Sequence, residues 1–96
     1  IAAKQLRNSF LALKVTYFNQ VFDFCNAQNI NFDSVRKFIT SDDRINESHS
    51  FVTDKRGFGG HCFPKDILAT LRSSQVAGAR MSLLEEAIEY NNKVRK

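Results

Sequence analysis

The sequence predicts an all-α domain in which a long N-terminal helix packs with three or more shorter helices. Three observations carry that prediction. No Pro or Gly occurs from Ala2 to Ala27, and apolar residues recur there in steps of three and four. The same spacing resumes at three later places, and no segment carries a convincing strand pattern.

In the first segment Leu6, Phe10, Leu13, Tyr17, Val21, Phe24 and Cys25 form an apolar stripe, which Phe18 and Phe22 widen. A stripe that broad suggests cover from two directions. Its 26 residues would reach about 39 Å as one helix, whereas a globule of this size has a radius of gyration of about 12 to 13 Å. Part of the helix should therefore project and find a partner. Residues 28–31 break the pattern. Asn31 then reads as a cap for a short second helix through Phe32, Val35, Phe38 and Ile39. The polar stretch from Ser41 to Arg56 reads as a loop. Gly57, Gly59 and Gly60 cluster after it, and Pro64 marks a third helix start, since proline's missing donor has no intrahelical partner there. Ile67, Leu68 and Leu71 supply that helix's apolar face, and Gly78 ends it. Met81, Leu84, Ala87, Ile88 and Asn91 carry a fourth helix into the basic tail Lys93, Arg95, Lys96.

Composition narrows the functional classes. The 96 residues fit one domain, and 43% hydrophobic with 25% charged residues argues for a packed core rather than disorder. The net charge of +4 is scattered along the chain, so it weakly favours an anionic partner without the basic stripe or helix-turn-helix that nucleic-acid binding uses. No apolar run approaches the roughly 20 residues of a membrane span, and no signal pattern opens the chain. The reading is a soluble, cytoplasmic protein with no membrane and no nucleic-acid partner. Cys25 and Cys62 do not make a disulfide framework, and without a Cys-x-x-Cys pair no metal site is expected. The start at Ile1 fits a processed product or a piece of something longer.

The run GFGGHCFPKD from Gly57 to Asp66 concentrates the chemistry. Glycines let backbone approach a ligand closely. Cys62 falls two residues before Pro64, beside the amide groups of a helix start, with His61 and Lys65 near it in sequence; each feature favours the thiolate. Cys62 is a candidate nucleophile, with a small buried residue plugging a tight loop as the open alternative. Cys25, on the apolar stripe, reads as core. The glycines do not spell a phosphate-binding loop or a dinucleotide fingerprint. Lys4 and Asn8 share one helix face; by composition alone Lys4, Asn19 and Asn92 read as solvated surface groups.

Taken together, the 57–66 run, the segment from Asn8 to Ala12 with Lys4 four residues before it, and Asp43, Arg44, Ile45 between them resemble the central domain of the UDP-glucose and GDP-mannose dehydrogenases. Asn91 and Asn92 in the last helix extend the resemblance over essentially the whole chain, residues 1–96. The resemblance implies an all-helical domain that carries the catalytic cysteine and forms a homodimer through its long helix. It also implies flanking NAD-binding and nucleotide-binding domains. It implies oxidation of a hexose C6 alcohol of a nucleotide sugar to a carboxylate, with two NAD, in polysaccharide precursor synthesis. Cys62 would form a thiohemiacetal and then a thioester. Lys4 matches the lysine that stabilises charge on the substrate oxygen, and Asn8 and Asp66 match polar groups around that oxygen and the hydrolytic water. Arg44 resembles an arginine that reaches the neighbouring subunit's substrate. Gly57, Phe58, Gly59 and Gly60 resemble a loop against the sugar, accompanied by Lys65. No strand-glycine-helix unit for NAD is present in these residues, so the chain alone is expected to be inactive. A non-catalytic helical self-association module derived from the same family is the competing reading.

Overall fold

In the computed structural model, residues 2–60 and 63–96 are described. Among them the chain forms four helices and no strand: α1 (Ala2–Gln28), α2 (Phe32–Thr40), α3 (Phe63–Val76) and α4 (Ser82–Val94). The α1 rod, about 40 Å long at 1.5 Å per residue, sets the 42 Å long axis of the molecule, and the radius of gyration is 14.1 Å. Helix α1 packs most extensively on α3, then on α4, while α2 folds back against its C-terminal end. There the rings of Phe22 and Phe32 meet edge to face at 5.3 Å.

Local chemistry explains the boundaries. Asn29 takes a left-handed φ of 57°, and the amides of Asn29 and Ile30 return to the carbonyls of Asn26 and Cys25, closing α1 with a Schellman turn. Gly78 (φ 73°) does the same for α3, with Gly78 and Ala79 donating to Gln75 and Ser74. Asn31 caps α2 as its sequence position suggests, its side chain accepting from the Ser34 amide at 2.9 Å. Helix α3 starts one residue before Pro64, which still lies in the first turn, where its missing donor has no helical partner. Met81 sits at the N-cap of α4 rather than inside it; its carbonyl accepts from Leu84 and Glu85.

The packed face of α1 coincides with its apolar stripe only in part: Phe18 and Cys25 are buried, but the stripe's other large rings are not. Ser9, Ala12, Thr16 and Asn19 are buried, whereas Phe10, Tyr17 and Phe24 remain 66%, 58% and 61% exposed. Small side chains let α3 and α4 approach the α1 backbone closely. The hydroxyls survive burial because each turns back onto its own helix: Ser9 Oγ donates to the Gln5 carbonyl at 2.9 Å and Thr16 Oγ1 to the Ala12 carbonyl at 2.8 Å. Ala12, Phe58, Ile67 and Leu84 meet at the centre of the core, flanked by Leu13, Val15, Leu71, Met81 and Ile88. Cys25 is buried, as its place in the stripe suggests.

The loop between α2 and α3 is held down at several points. Lys14 Nζ donates to the carbonyls of Ile45 and Asn46 at 2.6 and 3.2 Å. The Arg36 guanidinium lies 4.2 Å from the Phe51 ring centroid and reaches the buried Ser50 hydroxyl at 3.4 Å.

Close approach at Ala12 yields a first prediction. Ala12→Leu forces extra methylenes between α1 and its neighbours and should lower stability by about 1–3 kcal/mol. Leu83→Ala, at a position 75% exposed, should stay within about 0.5 kcal/mol. Denaturant midpoints of the two variants check the contrast; equal midpoints would place the packed face elsewhere.

Candidate functional site

Residues 57–60 lie outside any helix or strand, so their backbone draws on other hydrogen-bonding groups. Two asparagines supply them. Asn19 of α1, expected on the surface, is fully buried; its Oδ1 accepts from the Gly57 amide and from Arg56 Nε, both at 2.9 Å, while its Nδ2 donates to the Val15 carbonyl. Asn91 of α4 grips the next residue from the other side. Its Oδ1 accepts from the Phe58 amide at 2.7 Å and its Nδ2 donates to the Phe58 carbonyl at 3.0 Å. Between these grips the Phe58 ring enters the core beside Ala12, Ile67 and Leu84. Gly57 is required on two counts: its φ is +61°, and a Cβ there would lie 2.0 Å from Asn91 Oδ1.

The far end of the segment is fixed by a different bond. Asn8 Nδ2 donates to Asp66 Oδ2 at 2.8 Å, joining α1 to the first turn of α3 across 58 positions of sequence. Lys4, exposed and one turn before Asn8, shares its side of α1. Lys65 is exposed beside Asp66. At 100° per residue Lys4, Asn8 and Asn19 fall within about 60° of one another around α1, with Asn8 and Asn19 some 16 Å apart along its axis. The structure therefore brings together Asn8 and Asp66, and hangs the glycine loop from the same side of the helix. Cys62 and His61 lie outside the described residues.

A family model described as the UDP-glucose/GDP-mannose dehydrogenase family, central domain, matches residues 2–93. The chain belongs to that family. It is 35% identical over 89 residues to a UDP-glucose 6-dehydrogenase of Rhizobium meliloti, covering 93% of this chain and 20% of the relative. It is 36% identical over 92 residues to UDP-glucose 6-dehydrogenase TuaD of Bacillus subtilis, covering 96% and 20%, and 32% identical over 89 residues to UDP-glucose 6-dehydrogenase AglM of Haloferax volcanii, covering 93% and 20%. The chain spans about a fifth of the length of these curated relatives.

In this UDP-glucose/GDP-mannose dehydrogenase central domain, Arg44 does not join Asn8 and Asp66. Its guanidinium grips Asp42 through Nε at 2.9 Å and Nη2 at 2.7 Å. That grip holds the Asp42 carboxyl below the usual carboxylate range, chiefly through the side-chain bond and secondarily through the Arg44 amide. Arg44 borders a groove of about 330 Å³ with Phe10, Leu13, Tyr17 and Ile39. Phe10 and Tyr17 fall about 160° and 180° around α1 from Asn8, so the arginine lies on the opposite side of the long helix.

Three residues of the site escaped the sequence reading. Asn19 and Asn91 carry buried backbone contacts, and Arg56 links the loop to α1 and α4. Asn91 left a trace: it falls in the apolar register 84, 87, 88, 91 of α4, where a polar residue must be buried and bonded. Arg56 is held by Asp23 Oδ1 at 2.8 Å and by the Tyr90 hydroxyl oxygen at 3.1 Å, while the Tyr90 hydroxyl donates to Asp23 Oδ2. Burial, and next the Asp23 carboxylate, push the Tyr90 phenol up to about 12, against an opposing pull from Arg56.

Two outcomes follow from these bonds. Asn91→Ala removes the two hydrogen bonds that its side chain makes to the buried Phe58 amide and carbonyl and should cost about 2–4 kcal/mol in chemical denaturation; a loss below about 0.5 kcal/mol would mean that water replaces the side chain. Because the folded Tyr90 pKa lies above its ordinary 10.0, the phenol's contribution to stability is whole below about pH 10 and fades between 10 and 12. Tyr90→Phe should abolish the phenolate absorbance step near pH 12 and flatten that part of the stability curve. An unaltered late step would remove the assignment.

Proposed function

We propose that this chain is the cysteine-bearing part of an NAD-dependent nucleotide-sugar 6-dehydrogenase of the UDP-glucose type, in which Cys62 is the covalent nucleophile. The observation that carries the reading is the 2.8 Å bond from Asn8 to Asp66. It joins the first motif to the end of the cysteine motif, and family membership over residues 2–93 supports the same assignment.

The described residues contain no strand and so no strand-glycine-helix unit for a dinucleotide. The cofactor belongs, on this reading, to parts of the protein outside this chain; NAD, when bound, supplies hydride acceptance. The chain's own residues handle the carbon and the protons. Lys4, beside Asn8, offers an ammonium to the oxygen that gathers negative charge as the C6 alcohol becomes an aldehyde. The Cys62 thiolate then forms a C–S bond to the aldehyde carbon, and the oxygen takes a proton, giving a thiohemiacetal. Loss of a second hydride from the carbon, with the hydroxyl proton passing to water, leaves a thioester. Water attacks that carbonyl, Asp66 accepts its proton with Asn8 fixing the carboxylate, and the C–S bond breaks to release carboxylate and thiol. Splitting a four-electron oxidation this way avoids free aldehyde. Gly57, Gly59 and Gly60 present backbone to the sugar, while the core position of the Phe58 ring gives that residue an anchoring part.

Arg44 extends the site to a second copy. It sits on the opposite side of α1 from Asn8, so a site that uses both takes the arginine from another protomer. The exposed Phe10, Tyr17 and Phe24, seven residues apart, offer an apolar seam for that homodimer. The same seam favours the second reading, a self-association module without catalysis.

In the complete enzyme, Cys62→Ala should lower carboxylate formation from UDP-glucose by at least about 10³-fold, measured as NAD reduction and product. Undiminished turnover would remove Cys62 as the nucleophile, whereas an unmodified enzyme that forms no carboxylate would defeat the dehydrogenase assignment and leave the module. Phe10→Asp with Tyr17→Asp should shift sedimentation from dimer to monomer; an unchanged dimer would remove α1 from the interface.

A further inference from the structure

We propose that Arg56 is the positioning residue of the glycine loop: its guanidinium fixes the backbone direction in which Gly57 to Gly60 meet the nucleotide sugar. The proposal rests on the dehydrogenase reading and adds to it a residue that touches neither the reacting carbon nor the cofactor.

The backbone poses the problem. Arg56 and Gly57 both have φ of +61°, and only the second is a glycine. A side chain with a Cβ persists in the left-handed region when its surroundings hold it there. Those surroundings are unusually complete. Nε donates to Asn19 Oδ1 at 2.9 Å, the same oxygen that accepts from the Gly57 amide. Nη2 donates to Asp23 Oδ1 at 2.8 Å and to the Tyr90 hydroxyl oxygen at 3.1 Å. The guanidinium carbon lies 4.8 Å from the Phe22 ring centroid. The Arg56 carbonyl accepts from Arg95 Nη1 at 2.9 Å, and the Arg95 guanidinium lies against Gly59, where a Cβ would come within 2.2 Å of Nη2.

A single surface ion pair would not need this geometry. The Arg56 side chain is 15% exposed and that of Asp23 is 45% exposed, so the carboxylate alone could hold any cation. What a lysine cannot do is donate at once to Asn19 and Asp23 from a planar fork. Asn19 is thereby shared between the guanidinium and the loop amide, so the arginine determines where the acceptor of Gly57 stands. Tyr90, protonated across the working pH range, keeps the second carboxylate oxygen of Asp23 occupied. The direction of the loop is thus set from α1 and α4 before a ligand arrives.

The test uses the complete enzyme carrying Arg56→Ala, Arg56→Lys or, as a control, Arg80→Ala, whose residue pairs with Glu85. Steady-state kinetics with UDP-glucose and NAD is read beside amide hydrogen exchange of residues 57–58 and of α4. For Arg56→Ala the KM for UDP-glucose should rise at least about tenfold while the KM for NAD is unchanged. Exchange at 57–58 should quicken by at least about tenfold, with protection of α4 kept. Arg56→Lys should recover only part of both changes, and Arg80→Ala should alter neither. Unchanged exchange at 57–58 in Arg56→Ala would overturn the proposal. So would a joint rise of both KM values with lost α4 protection, the signature of a general structural prop. If the unmodified enzyme oxidises no nucleotide sugar, the dehydrogenase reading falls by itself, and the exchange rates still decide whether Arg56 sets the loop.

Discussion

A polar line along one side of α1 holds both ends of the segment from Gly57 to Asp66. Asn19 takes the first amide of that segment and Asn8 takes the last carboxylate, some three turns apart on the same helix face. A loop without helical or strand partners has to satisfy its amides some other way or remain in water. Here side-chain amides stand in for a neighbouring strand, and the exchange of two hydrogen bonds between Asn91 and Phe58 has the pattern of a ladder pair. The loop can then be carried on a purely helical frame.

The same helix has a second, unlike face. Where Ser9, Ala12 and Thr16 let α3 and α4 approach closely, the opposite side presents Phe10 and Tyr17 beside Arg44. On the proposed reading, a helix about as long as the whole molecule divides its work in this way, one side for the site and the other for a neighbour. Among the described residues no helix is long and apolar enough to cross a membrane.

How much of this could be read from the sequence depends on which physical signal each residue leaves. Helix positions were legible, because Pro and Gly placement, the Asn31 cap and three-four spacing act locally. The resemblance placed Asn8 and Asp66 in one site without foretelling their bond, since nothing local links positions 58 apart. The buried face of α1 was legible only in part: Phe18 and Cys25 of the stripe are buried, but Ser9, Ala12, Thr16 and Asn19 were not foreseen there. Hydropathy scores Ser, Thr and Asn as surface groups, yet a hydroxyl that bonds its own helix, or an amide whose oxygen and nitrogen are both bonded, can be buried. Asn19 and Arg56 left no trace in spacing or composition because their partners are backbone groups and distant side chains. The sequence reading expected part of the stripe to project, and Phe10, Tyr17 and Phe24 are exposed; what covers them is part of the proposal above.

A double-mutant cycle between Asn8 and Asp66 in the complete enzyme, read as kcat/KM for UDP-glucose, tests the arrangement most directly. If one bond holds the carboxylate where water is activated, Asn8→Ala together with Asp66→Ala should lose little more than Asp66→Ala alone, a coupling of at least about 1 kcal/mol. Losses that simply add, as for two residues acting apart, would contradict the account.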